Sequence, residues 1–315
     1  MNQAPPAALE RARIQLGGDG HPLARKLDLL AGELRGLGSM VIAFSGGVDS
    51  TFLLAVASAV APESTRAVLG VSPSLSAEGH AIARRAAAEL SVELIEVATN
   101  EVEDPAYLAN EPDRCFHCKS TLYTRLHALL DESRSRWGSA TILDGTNRDD
   151  LSDTRPGRVA AERQGVRSPL ADLGWSKSEI RQASRALGLS TWDRPASPCL
   201  SSRVPHGTRI TEEVLRRVES AEAALRDLGF RTVRVRHHDA LARIEVPTDE
   251  VTRVAARADE VAHALRAAGY RQVTLDLAGY RTGGADGPDT NTTRSASHGQ
   301  PQRSTKGAPD GDFEV

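Results

Sequence analysis

The hexapeptide Ser45-Gly46-Gly47-Val48-Asp49-Ser50 sits between two apolar runs of different character, and this restricts the fold more than any other feature of the chain. Before it stands Met40-Val41-Ile42-Ala43-Phe44, a short continuous run that reads as a buried strand. After it stands Thr51-Phe52-Leu53-Leu54-Ala55-Val56-Ala57, which reads as a helix. A strand, a small-residue turn and a helix start together make a phosphate site. Gly46 and Gly47 let backbone approach the anion, and the helix amides and dipole favour negative charge. Ser45 and Ser50 add hydroxyls. Asp49 would repel phosphates unless it caps the helix or meets a cation such as Mg²⁺. The Gly-Lys-Ser/Thr of the Walker loop is missing, so this is a different phosphate loop.

The rest of the chain alternates strand and helix patterns. Residues 22–37 show helical apolar spacing. Strands are expected at 66–71, 92–97 and 140–143, and helices at 77–90, 116–130 and 177–187, the last capped by Ser176. That order implies an α/β fold, a parallel sheet with helices on both faces, whose ligand lies beyond the carboxyl ends of the strands. The turns at 45–50 and at Asp144-Gly145-Thr146-Asn147 both fall there. Three prolines, Pro195, Pro198 and Pro205, then break regularity and mark a functional loop or domain junction. Beyond them a helix at 211–228, strands at 231–236 and 242–246, a helix at 249–268 and a strand at 272–277 read as a small α+β C-terminal domain. The expected organisation is a flexible N-terminus (1–20), a first domain (21–195), a second (196–281) and a disordered tail (282–315), poor in apolar residues.

Length and composition agree with two globular domains: 315 residues, 40% hydrophobic, 26% charged. A net charge of −3 with 39 dispersed basic residues argues against nucleic acid as the main partner. No apolar run approaches the roughly 20 residues that span a bilayer, and no signal-peptide pattern opens the chain. A cytoplasmic protein is expected, with no membrane partner.

In such a compartment three cysteines are ligands, nucleophiles or core fillers rather than a disulfide frame. Cys115 and Cys118 form Cys-Phe-His-Cys at a helix start. Cys199 lies in a Pro/Ser loop ahead of Arg203. Three readings stay open: an iron–sulfur cluster with a free iron corner, a zinc site with His117 as a strained fourth ligand, or two unrelated features. Cys199 is also a candidate nucleophile. Arg234 and Arg236, two apart on a strand, share a face suited to a phosphate or carboxylate, or form a solvated basic edge. Asp239 and Glu245 are weaker metal or catalytic candidates.

The 45–50 loop resembles the PP-loop of the ATP pyrophosphatase superfamily (adenine nucleotide alpha hydrolase-like fold). Further segments, EPDRCFHCKSTLY, DGTNRDDLSDTRPG, RSPLADLGWSKSEIR, TWDRPASPCLSSRVPHGTRIT and VRVRHHDALARIEV, extend a resemblance to the LarE family of ATP-dependent sulfur transferases over residues 24 to 281. The resemblance implies an enzyme that adenylates the carboxylates of pyridinium-3,5-biscarboxylic acid mononucleotide. A sulfur then displaces AMP, giving thiocarboxylates for the nickel-pincer cofactor of lactate racemase-type enzymes. One branch of the family sacrifices the sulfur of the cysteine matching Cys199. Another holds a [4Fe–4S] cluster on three cysteines, and the pattern of Cys115, Cys118 and Cys199 resembles that branch.

By the same resemblance, Ser45, Gly46, Gly47, Val48, Asp49, Ser50, Gly145 and Asn147 contact ATP, with Mg²⁺ near Asp49. Cys199 and Asp49 carry catalysis; Arg203, Arg234 and Arg236 bind substrate. Asn147, Asp149, Asp150 and Asp153 meet adenine, ribose or Mg²⁺, or simply form a polar turn. A homo-oligomer, a hexamer in relatives, and cofactor-assembly proteins of the same pathway are the implied partners. A PP-loop tRNA thiolase with a three-cysteine cluster is the alternative enzyme, separable by binding to bulk tRNA. A nucleotide-binding sensor without turnover is the alternative outside enzymes, separable by pyrophosphate release.

Overall fold

Four parallel strands in the order β3-β2-β1-β4 form the main sheet of the computed structural model, which describes residues 5–152, 156–195 and 197–280. The chain enters through α1 (Pro5–Gln15) and α2 (Pro22–Gly36) and runs into β1 (Ser39–Ala43) and α3 (Val48–Val60). Then come β2 (Thr65–Val71), α4 (Ala77–Glu89), β3 (Leu94–Ala98), α5 (Pro105–Ala109), α6 (Arg114–Glu132), α7 (Arg134–Trp137) and β4 (Ala140–Leu143). Three more helices follow, α8 (Pro156–Arg163), α9 (Pro169–Asp172) and α10 (Lys177–Ala186).

The continuous apolar run of β1 follows from burial on both faces. Met40 and Ile42 join a core with Leu27, Phe52 and Trp175 beneath α2, α3 and α10, while Val41 and Ala43 join Tyr123, Leu126 and Trp137 on the opposite face. Each side chain follows the period-two alternation of a strand. The sheet and its helices have the PP-loop type of α/β architecture.

The C-terminal part contains α11 (Glu212–Asp227), β5 (Arg234–His238), β6 (Leu241–Glu245), α12 (Val251–Ala256), α13 (Ala258–Ala267) and β7 (Gln272–Leu275). Strand β6 pairs antiparallel with β5 and parallel with β7. Ala221, Leu225, Phe230, Val235, Ile244 and Leu265 fill the core of this small sheet. A further cluster, with Tyr107, Leu200, Val204, Ile210 and Leu215, packs α5 and the loop after Cys199 against α11, and Cys118 lies against it.

Some expectations change. Residues 5–15 form a helix rather than loose chain, because Leu9, Ala12 and Leu16 recur at helical spacing and pack on the first core. The helix expected at 249–268 is broken at Arg257 (φ −114°, ψ 31°), whose guanidinium donates to the carbonyl of Leu228 at 2.6 Å. Helix α6 begins at Arg114, so both Cys115 and Cys118 are helical. The tail expected at 282–315, and Asp153, lie outside the described residues.

Candidate active site

Helix α3 starts at the carboxyl end of β1, and the hexapeptide folds back on its own hydroxyls. Ser50 Oγ accepts from the Ser45 amide at 3.3 Å, lies 3.1 Å from Ser45 Oγ and donates to the Gly47 carbonyl at 3.3 Å. Gly46 has φ 71°, and a Cβ there would stand 2.7 Å from Ala83 Cα, so α4 leaves no room for a side chain. Gly145 plays the matching part in the second turn: a Cβ on it would lie 2.9 Å from the Ser50 amide nitrogen. Both glycines exist for close backbone approach.

Asp49 stands in the first turn of α3. Lys177 Nζ donates to its Oδ2 at 2.5 Å, while Oδ1 is buried with no hydrogen-bond partner. Burial pushes the Asp49 carboxyl above the ordinary aspartate value, and the Lys177 charge only partly opposes this. Lys177 is itself fixed as the first residue of α10. Ser176 and Glu179 form a capping box, and the Lys177 amide donates to Asp149 Oδ2 at 2.8 Å. The second turn is organised by buried Asp144, which accepts from Tyr123 Oη, Thr146 Oγ1 and Ser168 Oγ at 3.0, 2.9 and 2.7 Å.

These elements open on a cleft of about 900 Å³. Ser45, Gly46, Gly47, Val48, Asp49 and Asn147 line it, as do Cys199, Arg234 and Arg236 from the far side. Ser50 and Gly145 act from behind this lining, through the contacts just given. Sequence reasoning missed Lys177, Arg194, His206 and Tyr280, which line it together with Arg114 beside the cysteine pair. Of the missed residues only Lys177 carried a signal, since Ser176 caps a helix that opens towards the phosphate loop.

The loop bearing Cys199 is tied to the helix bearing Cys115 and Cys118 by a buried polar network. Asn110, fully buried at φ 58°, donates to the carbonyls of Val204, Pro205 and Thr208 at 3.3, 2.8 and 2.9 Å. Arg114 Nη1 donates to Asn110 Oδ1 at 2.5 Å and to the Ser201 carbonyl at 3.0 Å. Tyr107 Oη is 2.5 Å from Ser201 Oγ.

Cys115 and Cys199 are exposed, whereas Cys118 is partly buried. Burial pushes the Cys118 thiol up to about 12, and the charges of nearby Cys199, Glu101 and Cys115 act in the same direction. Cys118 is near enough to Cys115 and Cys199 for their charges to act on it, but of the three only Cys199 lines the cleft. Among the described residues no three Cys, His, Asp or Glu side chains converge in a metal-holding arrangement. His117 points to acids instead, with Nδ1 3.1 Å from Asp104 and Nε2 3.5 Å from Asp113, which removes it from a shared zinc site.

The C-terminal candidates divide. Arg234 borders the cleft with its guanidinium stacked over Tyr280 at 5.6 Å; burial, then the nearby Arg203 charge, lowers its pKa. Arg236 borders the cleft too, but Nε and Nη2 hold Glu245 Oε2 at 3.0 and 2.9 Å and Nη1 holds the Ser202 carbonyl at 2.7 Å. Glu245 also receives Arg243 at 3.2 Å on its other oxygen. With both oxygens neutralised by guanidiniums, it is an anchor for arginines rather than the open metal ligand expected. Arg203, expected to bind substrate, is only 2% exposed and lies outside the cleft lining, locked to Glu222 at 2.8 Å. Asp239 is a left-handed hairpin residue (φ 52°), also away from the lining.

No protein-family model matches the chain. It is 44% identical over 263 residues to an uncharacterized protein of Synechocystis, covering 83% of this chain and 97% of that one. It is 36% identical over 262 residues to the pyridinium-3,5-bisthiocarboxylic acid mononucleotide synthase of Lactiplantibacillus plantarum, covering 83% and 94%. An uncharacterized protein of Methanocaldococcus jannaschii is 27% identical over 245 residues, covering 77% and 91%. The similarity to the synthase extends over most of both chains, and on it this chain belongs to the LarE family of enzymes.

Proposed function

We propose that this enzyme adenylates the carboxylates of pyridinium-3,5-biscarboxylic acid mononucleotide with ATP and converts them to thiocarboxylates, as a cytoplasmic step in nickel-pincer cofactor assembly. The observation that carries the reading is that Cys199, the phosphate loop and Arg234 border one cleft. A carboxylate is a poor electrophile because its oxygen leaves badly. Its attack on the α-phosphorus of ATP forms the acyl–adenylate bond and breaks the bond to pyrophosphate. The amides at the start of α3, which lack partners within the helix, face the charge developing on pyrophosphate. A sulfur nucleophile then adds to the acyl carbon and AMP departs with the bonding pair. Arg234, cationic and stacked on Tyr280, suits the phosphate of the mononucleotide.

The reading brings in two further groups. The buried, unpartnered Oδ1 of Asp49 suits a magnesium ion carried by ATP. Cys115, Cys118 and Cys199 would be the ligands of a [4Fe–4S] cluster; the charges of Cys115 and Cys199 act on Cys118, and drawing the three thiols into one ligand set would take local rearrangement. Such a cluster would supply a bound sulfide as the nucleophile and spare the protein. In the other route the Cys199 thiolate attacks. Loss of its Cα proton then breaks the Cβ–S bond, leaving dehydroalanine and the thiocarboxylate.

The test is pyrophosphate release and thiocarboxylate formation with the pyridinium mononucleotide, on anaerobically purified protein with iron, sulfide and intact mass measured after turnover. Release that does not depend on the mononucleotide sinks the substrate assignment. A loss of one H₂S at Cys199 without bound iron sinks the cluster.

A further inference from the structure

Arg203 reaches in two directions from a site closed to solvent. Its Nε and Nη2 hold the two oxygens of Glu222 at 2.8 and 3.1 Å. Its Nη1 donates to the carbonyls of Pro198 and Cys199 at 2.5 and 3.0 Å and to Ser202 Oγ at 3.1 Å. Glu222, also 2% exposed, accepts in addition from the amide of Val235 at 3.1 Å. Val235 lies between Arg234 and Arg236 on β5. One buried carboxylate therefore holds both the backbone of Cys199, through Arg203, and the strand that carries Arg234 and Arg236. Arg236 closes the circuit through its bond to the Ser202 carbonyl. On the other side the Leu200 amide donates to the Ser74 carbonyl at 2.8 Å. The Cys199 side chain is left exposed in the cleft while its backbone is held from both flanks.

We propose that Arg203 and Glu222 are positioning residues that set Cys199 in register with Arg234, so that sulfur meets the acyl carbon of a substrate anchored on β5. This rests on the reading of Cys199 as the residue that presents sulfur. Stability does not explain the pair, because a buried ion pair contributes little over an apolar replacement. Geometry does. Only a guanidinium supplies enough fixed donors for a carboxylate and two carbonyls at once; a lysine ammonium serves one direction. Group transfer is sensitive to such placement, since an error near 1 Å costs roughly a hundredfold in rate.

The test uses the full chain with Arg203→Lys and, as an isosteric second variant, Glu222→Gln. The first readout needs no substrate: iodoacetamide alkylation of Cys199 relative to Cys115 in iron-free protein, mapped by mass, with hydrogen exchange over residues 198–204 and 234–238. Expected are a several-fold change in the Cys199/Cys115 ratio in both variants, and faster exchange in both segments for Glu222→Gln. In turnover, thiocarboxylate formed per pyrophosphate released falls by roughly a hundredfold with KM for the mononucleotide unchanged. An unchanged alkylation ratio, loosening of 198–204 alone, or a loss confined to KM overturns the proposal; the last marks Arg203 as a substrate contact. If the wild-type protein releases no pyrophosphate, the substrate reading fails, and alkylation and exchange still decide this one.

Discussion

Lys177 Nζ lies 2.5 Å from Asp49 Oδ2, while the other oxygen of the same carboxylate is buried without a partner. The lysine belongs to α10 and the aspartate to α3, 128 residues apart, so the pair forms only when the sheet is assembled. Half of Asp49 is neutralised by a cation that stays with the protein, and half is buried without a partner.

Asp49→Asn should therefore separate stability from activity. The folded-state pKa of Asp49 is raised, so the folded protein binds that proton more tightly than the unfolded chain. Its contribution favours the fold below the ordinary aspartate value and is lost as pH rises through the higher folded value. At pH 7 the asparagine variant is expected to melt at a higher temperature than wild type, while pyrophosphate release falls by about a hundredfold or more. The melting gap should narrow as pH falls through the acidic range. Paired thermal melts and pyrophosphate assays check this.

Lys177→Met should act on nucleotide binding more than on folding. The side chain is 37% exposed, and its removal leaves Asp49 without its hydrogen-bonding cation, with only the more distant charge of Arg181 opposing its burial. The expected result is roughly a tenfold rise in KM for ATP, the scale of one lost charge contact. Steady-state kinetics against ATP at saturating mononucleotide gives the answer.

Gly46→Ala should be far more damaging than a glycine-to-alanine change elsewhere on the surface. The new Cβ meets backbone of α4 at 2.7 Å, and φ 71° is strained for any L side chain. Together these should cost about 2–4 kcal/mol, read from denaturant unfolding. Gly138→Ala is the comparison: it also has positive φ, but an added Cβ meets nothing within 4 Å, so only the backbone strain should remain.

Asn110→Ala leaves three carbonyls of the 204–208 segment without their donor and places alanine at φ 58°. A loss of about 3 kcal/mol or more is expected in urea unfolding. Asn110→Gly relieves the backbone strain but not the lost bonds, and should recover only about 1 kcal/mol of it.

Cys118 should resist alkylation. With its thiol pushed up to about 12 from an ordinary value of 9.0, its thiolate fraction at pH 8 is roughly a thousandfold below that of an ordinary thiol. Iodoacetamide is expected to label Cys115 and Cys199 first. Cys115→Ser tests the cluster route separately: it should abolish iron binding and thiocarboxylate formation while pyrophosphate release continues. Sulfur transfer at wild-type rate in that variant would eliminate the cluster.

The turn at residues 45–50 was legible because its determinants are local. Two glycines and an alternation of buried strand and helix dictate the turn wherever the sheet forms, and β1, α3, β2 and β4 lie where the apolar runs place them. Arg203 was misread for the opposite reason. An arginine in a polar loop looks like a ligand-binding group until its partner is known, and Glu222 arrives from another helix. Glu245 was misread likewise, because nothing local shows that Arg236 and Arg243 occupy its oxygens.

Sequence by itself determined the class of fold, the glycine turn between β1 and α3 and the three cysteines, since backbone conformation and apolar periodicity are short-range properties. Tertiary structure alone decided which charges are available. A guanidinium or carboxylate is a site or a tether according to whether a distant partner neutralises it, and that depends on contacts such as Lys177–Asp49 and Arg203–Glu222 that exist only after packing.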